Sequence, residues 1–164
     1  MGDEMDFATM STDQIRTRRE NVLLRLLLRV TQIETDDLAE RLRRLGHPAV
    51  APSHIRLLGN VDTEGTRLIV LAGRIGTTRQ AVSQLAAELE RRGYLERIPD
   101  QGDRRATLVR HTAQGRGLLN TALTEMSDIE AGYEHIIGPD AMRSLKESLQ
   151  AIAAAADPAS RLGR

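Results

Sequence analysis

Four residues carry the most usable chemistry in this chain: Arg79, Gln80, Ser83 and Gln84. Their spacing suits one face of a helix, where residues three and four apart stack above one another. Arg and Gln can each form two parallel hydrogen bonds to a base edge in a major groove, and Ser can bond a base or a phosphate. The helix that would carry them is predicted over residues 78–92. Thr78 suits its N-cap, because a Thr hydroxyl accepts from the free N–H groups of the first turn, and it could also touch phosphate. Ala81, Val82, Leu85, Ala86 and Leu89 supply an apolar face at helical spacing. Acids come only late, at Glu88 and Glu90, and Gly93 follows where a left-handed cap is expected. On this helix alone, a solvated surface face explains the pattern as well as groove reading does.

The next residues shift the balance. Residues 94–98 read as a short strand, Pro99, Asp100, Gln101, Gly102 and Asp103 as a turn, and residues 106–110 as the return strand. Arg104 and Arg105 then sit near the hairpin tip, beside Asp103. An Arg-tipped hairpin suits the minor groove, whose negative potential draws Arg into narrow A·T tracts. Ahead of the helix, a shorter helix over residues 67–75 with Thr66 as its cap and a left-handed turn at Gly76 completes a helix-turn-helix pattern.

With these pieces in place, residues 71–115 resemble the core of the MarR family of bacterial winged helix-turn-helix transcription regulators. The most specific part is Asp103-Arg104-Arg105-Ala106 followed by Thr112 and Gly115, which matches the family's wing pattern D-x-R-(A/S) and then L-T-x-x-G. The resemblance implies that Arg105 enters the minor groove and that Asp103 orients it. His111 stands where the family usually has Leu; Thr77 and Gly73 are further departures. The likeness is close over residues 68–117 and traceable over 53–152.

Charge is distributed as such a reading requires. The formal net charge is zero, yet residues 66–116 hold ten Arg against five acids, between flanks in which acids outnumber bases. A basic segment between acidic flanks is the footprint of one surface meeting phosphate. At 164 residues with 40% apolar and 2% aromatic content, the chain can bury one aliphatic core.

The remaining residues read as support. The expected architecture is mainly α with a small β-hairpin wing: a tail over 1–12, an N-terminal dimerisation helix region over 13–50, the winged helix-turn-helix over 51–112, C-terminal dimerisation helices over 113–156 and a tail over 157–164, both tails expected to be disordered. One long helix should start near Asp13, with a bend or second segment marked by Thr35, Asp36 and Asp37, and end at Gly46-His47-Pro48. Its apolar set includes Leu24 and Leu28 as well as Val22, Leu23, Leu26 and Leu27, which is wider than a surface helix needs. Ser53 should open a short helix over 54–61. Thr112 should cap a long helix reaching Tyr133, and Asp140 should start the last one. The terminal helices carry more apolar surface than one copy can bury, so a two-fold homodimer is expected, with two recognition helices about one DNA turn apart on a near-palindromic site.

Enzyme chemistry finds no constellation here. There is no cysteine, so thiol redox chemistry and thiolate metal sites are excluded. The four histidines lack tight ligand spacing, Ser53-His54 lacks a nucleophile elbow, and no glycine-rich phosphate loop occurs. No metal or cofactor is expected. No signal peptide or transmembrane run is visible, so a cytoplasmic protein, nucleoid-associated when bound to DNA, is expected. The resemblance further implies a small aromatic or anionic effector in a crevice between the dimerisation helices and the winged domain, with Arg25, His54 and Arg56 as polar candidates. The expected function is a homodimeric regulator of transcription bound to double-stranded DNA, repression being the family's commoner mode. The alternative is a ligand-binding or protein-interaction dimer that keeps the fold without reading DNA.

Overall fold

The structure is a computed structural model and describes residues 11–103 and 106–156. Arg104, Arg105, residues 1–10 of the tail expected over 1–12 and the tail expected over 157–164 lie outside the described residues; Ser11 and Thr12, expected in the first tail, instead cap and open a helix. The chain divides into two compact units, Met1–Arg56 and Leu57–Arg164.

The first unit is helical. Helix α1 spans Thr12–Glu20, opened by a capping box in which the Ser11 hydroxyl accepts the Gln14 N–H and the Gln14 side chain accepts the Ser11 N–H. Helix α2 spans Leu23–Arg44. The single long helix expected near Asp13 is therefore two. Asn21 closes α1, its backbone N–H donating to Arg18 O and its side-chain amide to Thr17 O, and Val22 takes an extended conformation as the N-cap of α2. The expected bend at residues 35–37 is absent. There Asp36 accepts from Gln32, Asp37 pairs with Arg41 at 3.0 Å, and the Thr35 hydroxyl bonds back to Thr31 O. These i, i+4 ties hold the helix continuous. Helix α3, Pro52–Leu58, is shorter than the expected 54–61.

In the second unit, strand β1 (Thr66–Arg67), helix α4 (Leu68–Ile75), helix α5 (Arg79–Arg91), strands β2 (Leu95–Pro99) and β3 (Thr107–His111), and helices α6 (Ala113–Ile137) and α7 (Pro139–Ala156) follow in order. The wing is a three-stranded antiparallel sheet in the order β1-β3-β2, with Thr66 opposite Val109 and Arg97 opposite Val109 from the other side. Thr66 is thus a strand residue and not a helix cap. Its hydroxyl donates to the Asp62 carboxylate and accepts the Asp62 N–H, and the N-cap of α4 is Arg67, without a side-chain cap bond.

The core of this unit gathers Leu57, Leu71, Val82, Ala86, Leu89, Leu95, Val109 and Leu118, all essentially inaccessible to solvent. Burying an aliphatic side chain of this size contributes about 1.5–3 kcal/mol, so the apolar stripe of α5 is what fixes its polar face outward. Helix α6 runs four residues beyond the expected Tyr133 before Gly138 ends it. Pro139 occupies the first position of α7, where its missing N–H costs nothing. Lys146 reaches Glu130 at 2.6 Å between these two helices.

Candidate nucleic-acid interface

Helix α5 is set by its caps. Gly76 takes the left-handed conformation, φ 67°, at the end of α4, and Thr77 N–H returns to Ala72 O at 3.0 Å. Thr78 follows as an extended N-cap, its hydroxyl accepting the Ala81 N–H at 3.1 Å. Gly93, φ 78°, turns the chain into β2. For α5, Thr78 as the N-cap and Gly93 as the left-handed residue past the end are therefore observed as expected from sequence.

Between them, Val82, Ala86 and Leu89 are fully buried, whereas Arg79, Gln80 and Gln84 are exposed and Ser83 is half-buried. The structure thus brings the four sequence-assigned side chains to the outward part of one helix, in its N-terminal half.

The wing turn is held by Asp100. Its Oδ1 accepts the Gly102 N–H at 2.8 Å, and its Oδ2 pairs with the Arg67 guanidinium at 2.5–2.6 Å. The Gly102 N–H bond, then the Arg67 bond, hold the Asp100 carboxyl below the ordinary carboxylate value. Backbone bonds from Asp100 N–H to Ala106 O and from Ala106 N–H to Asp103 O close the turn. Asp103 itself is exposed. On the face of the β2–β3 ladder away from Val109, Arg110 bonds Glu96 through both Nε and a terminal nitrogen, at 3.1 and 2.8 Å.

A brace on the opposite side positions α4. Arg74 donates to Asn60 O at 2.8 Å and to Asp62 Oδ1 at 2.9 Å. With the Thr66 hydroxyl, this keeps the Asp62 carboxyl low and charged, the Arg74 bond being the larger cause.

Sequence reasoning did not single out two basic residues beside the polar face of α5. Arg67 from β1 and Arg97 from β2 join Arg79 in lining an open cleft of about 390 Å³ between the start of α5 and the wing sheet, with Ile69, Ala106 and Thr107. Arg97 also pairs with Glu90 at 3.0 Å. Both arginines count in the local basic surplus, but only the pairing of β1 with β3 brings Arg67 to the wing.

The residues assigned to an effector have different settings. Arg25 and Arg56 are exposed. His54 is 3% exposed, and its Nδ1 accepts the Ala51 N–H at 3.1 Å, which braces the start of α3. Among the described residues no three His, Cys, Asp or Glu gather as a metal site would require, and no helix is long and apolar enough to cross a membrane.

A capped helix-turn-helix followed directly by a wing defines a winged-helix protein. Residues 50–106 match the model of the MarR family. The match spans the helix-turn-helix and the start of the wing, and the fold likenesses that follow extend beyond it. The structure is similar to CouR from Rhodococcus jostii RHA1 bound to p-coumaroyl-CoA, at 26% identity and TM-score 0.65, over 82% of this chain and 93% of that one. It shares its fold with apo MarR from E. coli, at 20% identity and TM-score 0.68, over 80% and 96% of the two chains. The fold is also that of Sco3205 from Streptomyces coelicolor, solved in complex with DNA, at 20% identity and TM-score 0.62, over 91% of each. Among curated proteins, no sequence matches the chain.

Proposed function

We propose that the protein is a homodimeric, sequence-specific regulator of transcription that binds duplex DNA. The observation that carries this reading is the exposed Arg79, Gln80 and Gln84 surface on the N-terminal half of a Thr-capped helix, next to a wing. Arg79, Gln80, Ser83 and Gln84 read the major groove or hold its phosphates, and Thr78 fixes the start of the helix. Arg105, with Arg104, reaches the minor groove, and Asp103 holds the wing. DNA in complex with Sco3205 supports the class of partner. The dimer places two such units on a near-palindrome, and the protein works in the cytoplasm, on the nucleoid.

The regulatory input in this reading is a small aromatic or anionic molecule that relieves repression. The p-coumaroyl-CoA ligand of CouR supports that class. Arg25 and Arg56 supply positive charge toward it, and His54 acts as a brace. Such a molecule shifts DNA binding only by its difference in affinity for the competent and incompetent dimers.

Selection from random duplexes, followed by anisotropy titration against scrambled controls, tests the proposal. Enrichment of a near-palindrome is expected, with Arg105→Ala weakening its binding by about 1–3 kcal/mol. Recovery of no motif would instead favour a dimer that keeps the fold for ligand or protein contacts.

A further inference from the structure

Between the groove entered by α5 and the groove entered by the wing, one sugar-phosphate strand must cross the protein. The cleft between these two elements offers it a course. Its walls carry Arg67, Arg79 and Arg97, from three different elements, with the Thr107 side chain at the wing end and Ile69, 61% exposed, beside them. Three guanidinium groups and a hydroxyl suit a phosphodiester, and an exposed aliphatic side chain suits the deoxyribose next to it. Two carboxylates already engage these arginines: Asp100 holds Arg67 at 2.5 Å, and Glu90 holds Arg97 at 3.0 Å.

We propose that this cleft seats one phosphodiester of the bound DNA, with Arg67 as its direct contact and Asp100 as the intramolecular carboxylate that the phosphate displaces. The inference rests on the DNA-binding reading above and adds to it a backbone contact and a built-in competitor. Arg67 is 43% and Asp100 only 13% accessible at the side chain, so the guanidinium presents its outer edge to an incoming anion while the carboxylate stays tucked against the turn. The competitor sets affinity without reading sequence, because a phosphate contact positions the duplex and carries no base information. Asp100 keeps a second task whichever way Arg67 turns, since its other oxygen accepts the Gly102 N–H and holds the wing turn. Asparagine preserves that acceptor and loses the charge, so Asp100→Asn separates competition from turn support.

The test uses the full-length protein, its selected duplex and a scrambled duplex, in anisotropy titrations across a salt series, with thermal melts of each variant. Arg67→Gln is expected to weaken both duplexes by the same factor, about three- to tenfold, and to lower the salt slope by roughly one, as loss of one phosphate contact should. Asp100→Asn is expected to tighten both several-fold at an unchanged melting temperature. Unchanged affinity and slope in Arg67→Gln, with wild type binding normally, would overturn the phosphate seat and leave the DNA reading standing. Weaker binding by Asp100→Asn at an unchanged melting temperature would overturn the competition. A wild type that binds neither duplex would remove the DNA reading and the seat together.

Discussion

Gly115 lies so close to the carbonyl of Tyr94 that a Cβ at position 115 would stand 2.0 Å from that oxygen. The same carbonyl accepts the Thr112 N–H at 3.1 Å, and the Thr112 hydroxyl donates to Gly93 O at 2.5 Å. The end of α5, the start of the wing and the first turn of α6 are thereby fastened at one point. No side chain can swing away from a contact between backbone and Cβ, so Gly115→Ala must push α6 off the sheet. The expected cost is about 1–3 kcal/mol, as for overpacking elsewhere. A lowered urea midpoint would show it, whereas Gly117→Ala, inside α6 with nothing within 4 Å of its Cβ position, should raise the midpoint, by about 0.5–1 kcal/mol of stability.

Thr78 gives a smaller and cleaner effect. Its hydroxyl is the side-chain cap observed on α5, accepting the Ala81 N–H. Thr78→Ala should lower stability by about 1 kcal/mol, and Thr78→Ser should restore most of it. Equal melting temperatures for all three proteins would mean that solvent satisfies the Ala81 N–H and that the cap is dispensable.

The recognition helix and the wing were legible because their punctuation is local: Gly76, Thr78 and Gly93 bound the helix, and Pro99 to Gly102 turn the wing. The features missed depend on distant partners. Strand β1 has two residues and exists only because Val109 and Leu108 lie opposite them, so no pattern within residues 66–67 announces it. The helix break at residues 21–22 is hidden because Ile15, Val22 and Leu26 continue the apolar period across it, leaving Asn21 as the single local signal. The aspartates at 36 and 37 resembled a break but serve as i, i+4 partners to Gln32 and Arg41. The Arg67 and Arg97 cleft needs the sheet to form first.

His111 predicts a pH dependence. Its ring is buried, Nε2–H donates to Leu58 O at 3.1 Å, and Nδ1 has no hydrogen-bond partner among the described residues. Burial pushes its pKa below the ordinary 6.5, partly offset by backbone bonds and aided by the charge of Arg116. The unfolded chain then binds the proton more readily than the folded one. The stability tied to neutral His111 is fully present above about pH 6.5 and is lost as pH falls toward the lower folded value. Asp62 and Asp100 have lowered values too, but they act in the acid range below the ordinary 3.8. Urea midpoints at pH 7.5 and 5.0 should therefore diverge for wild type and converge for His111→Leu. Midpoints equally separated in both proteins would assign the dependence to other groups.

The proposed dimer makes its strongest demand on α2. Leu23, Leu24, Leu26, Leu27, Leu28, Val30 and Ile33 are each 37–65% exposed, although exposed side chains of this kind are normally scattered singly. Seven half-exposed aliphatic residues on one helix approach the ~800 Å² per partner of a standard interface. Leu24 and Leu28, at 65% and 62% exposure, stand one turn apart on this surface. Replacing both with Glu should cost a monomer about 0.5 kcal/mol or less per site, as surface changes do. In a dimer the same changes bury carboxylates against an apolar partner, which is far more costly. Sedimentation at micromolar concentration should thus give a dimer for wild type and a helical monomer for Leu24→Glu/Leu28→Glu. The variant should also lose its preference for a palindrome over a single half-site, because each winged unit would bind alone. A wild-type monomer would remove the two-fold model. A variant that stays dimeric would move the interface to the exposed Leu123, Ile136 and Ile152 of α6 and α7.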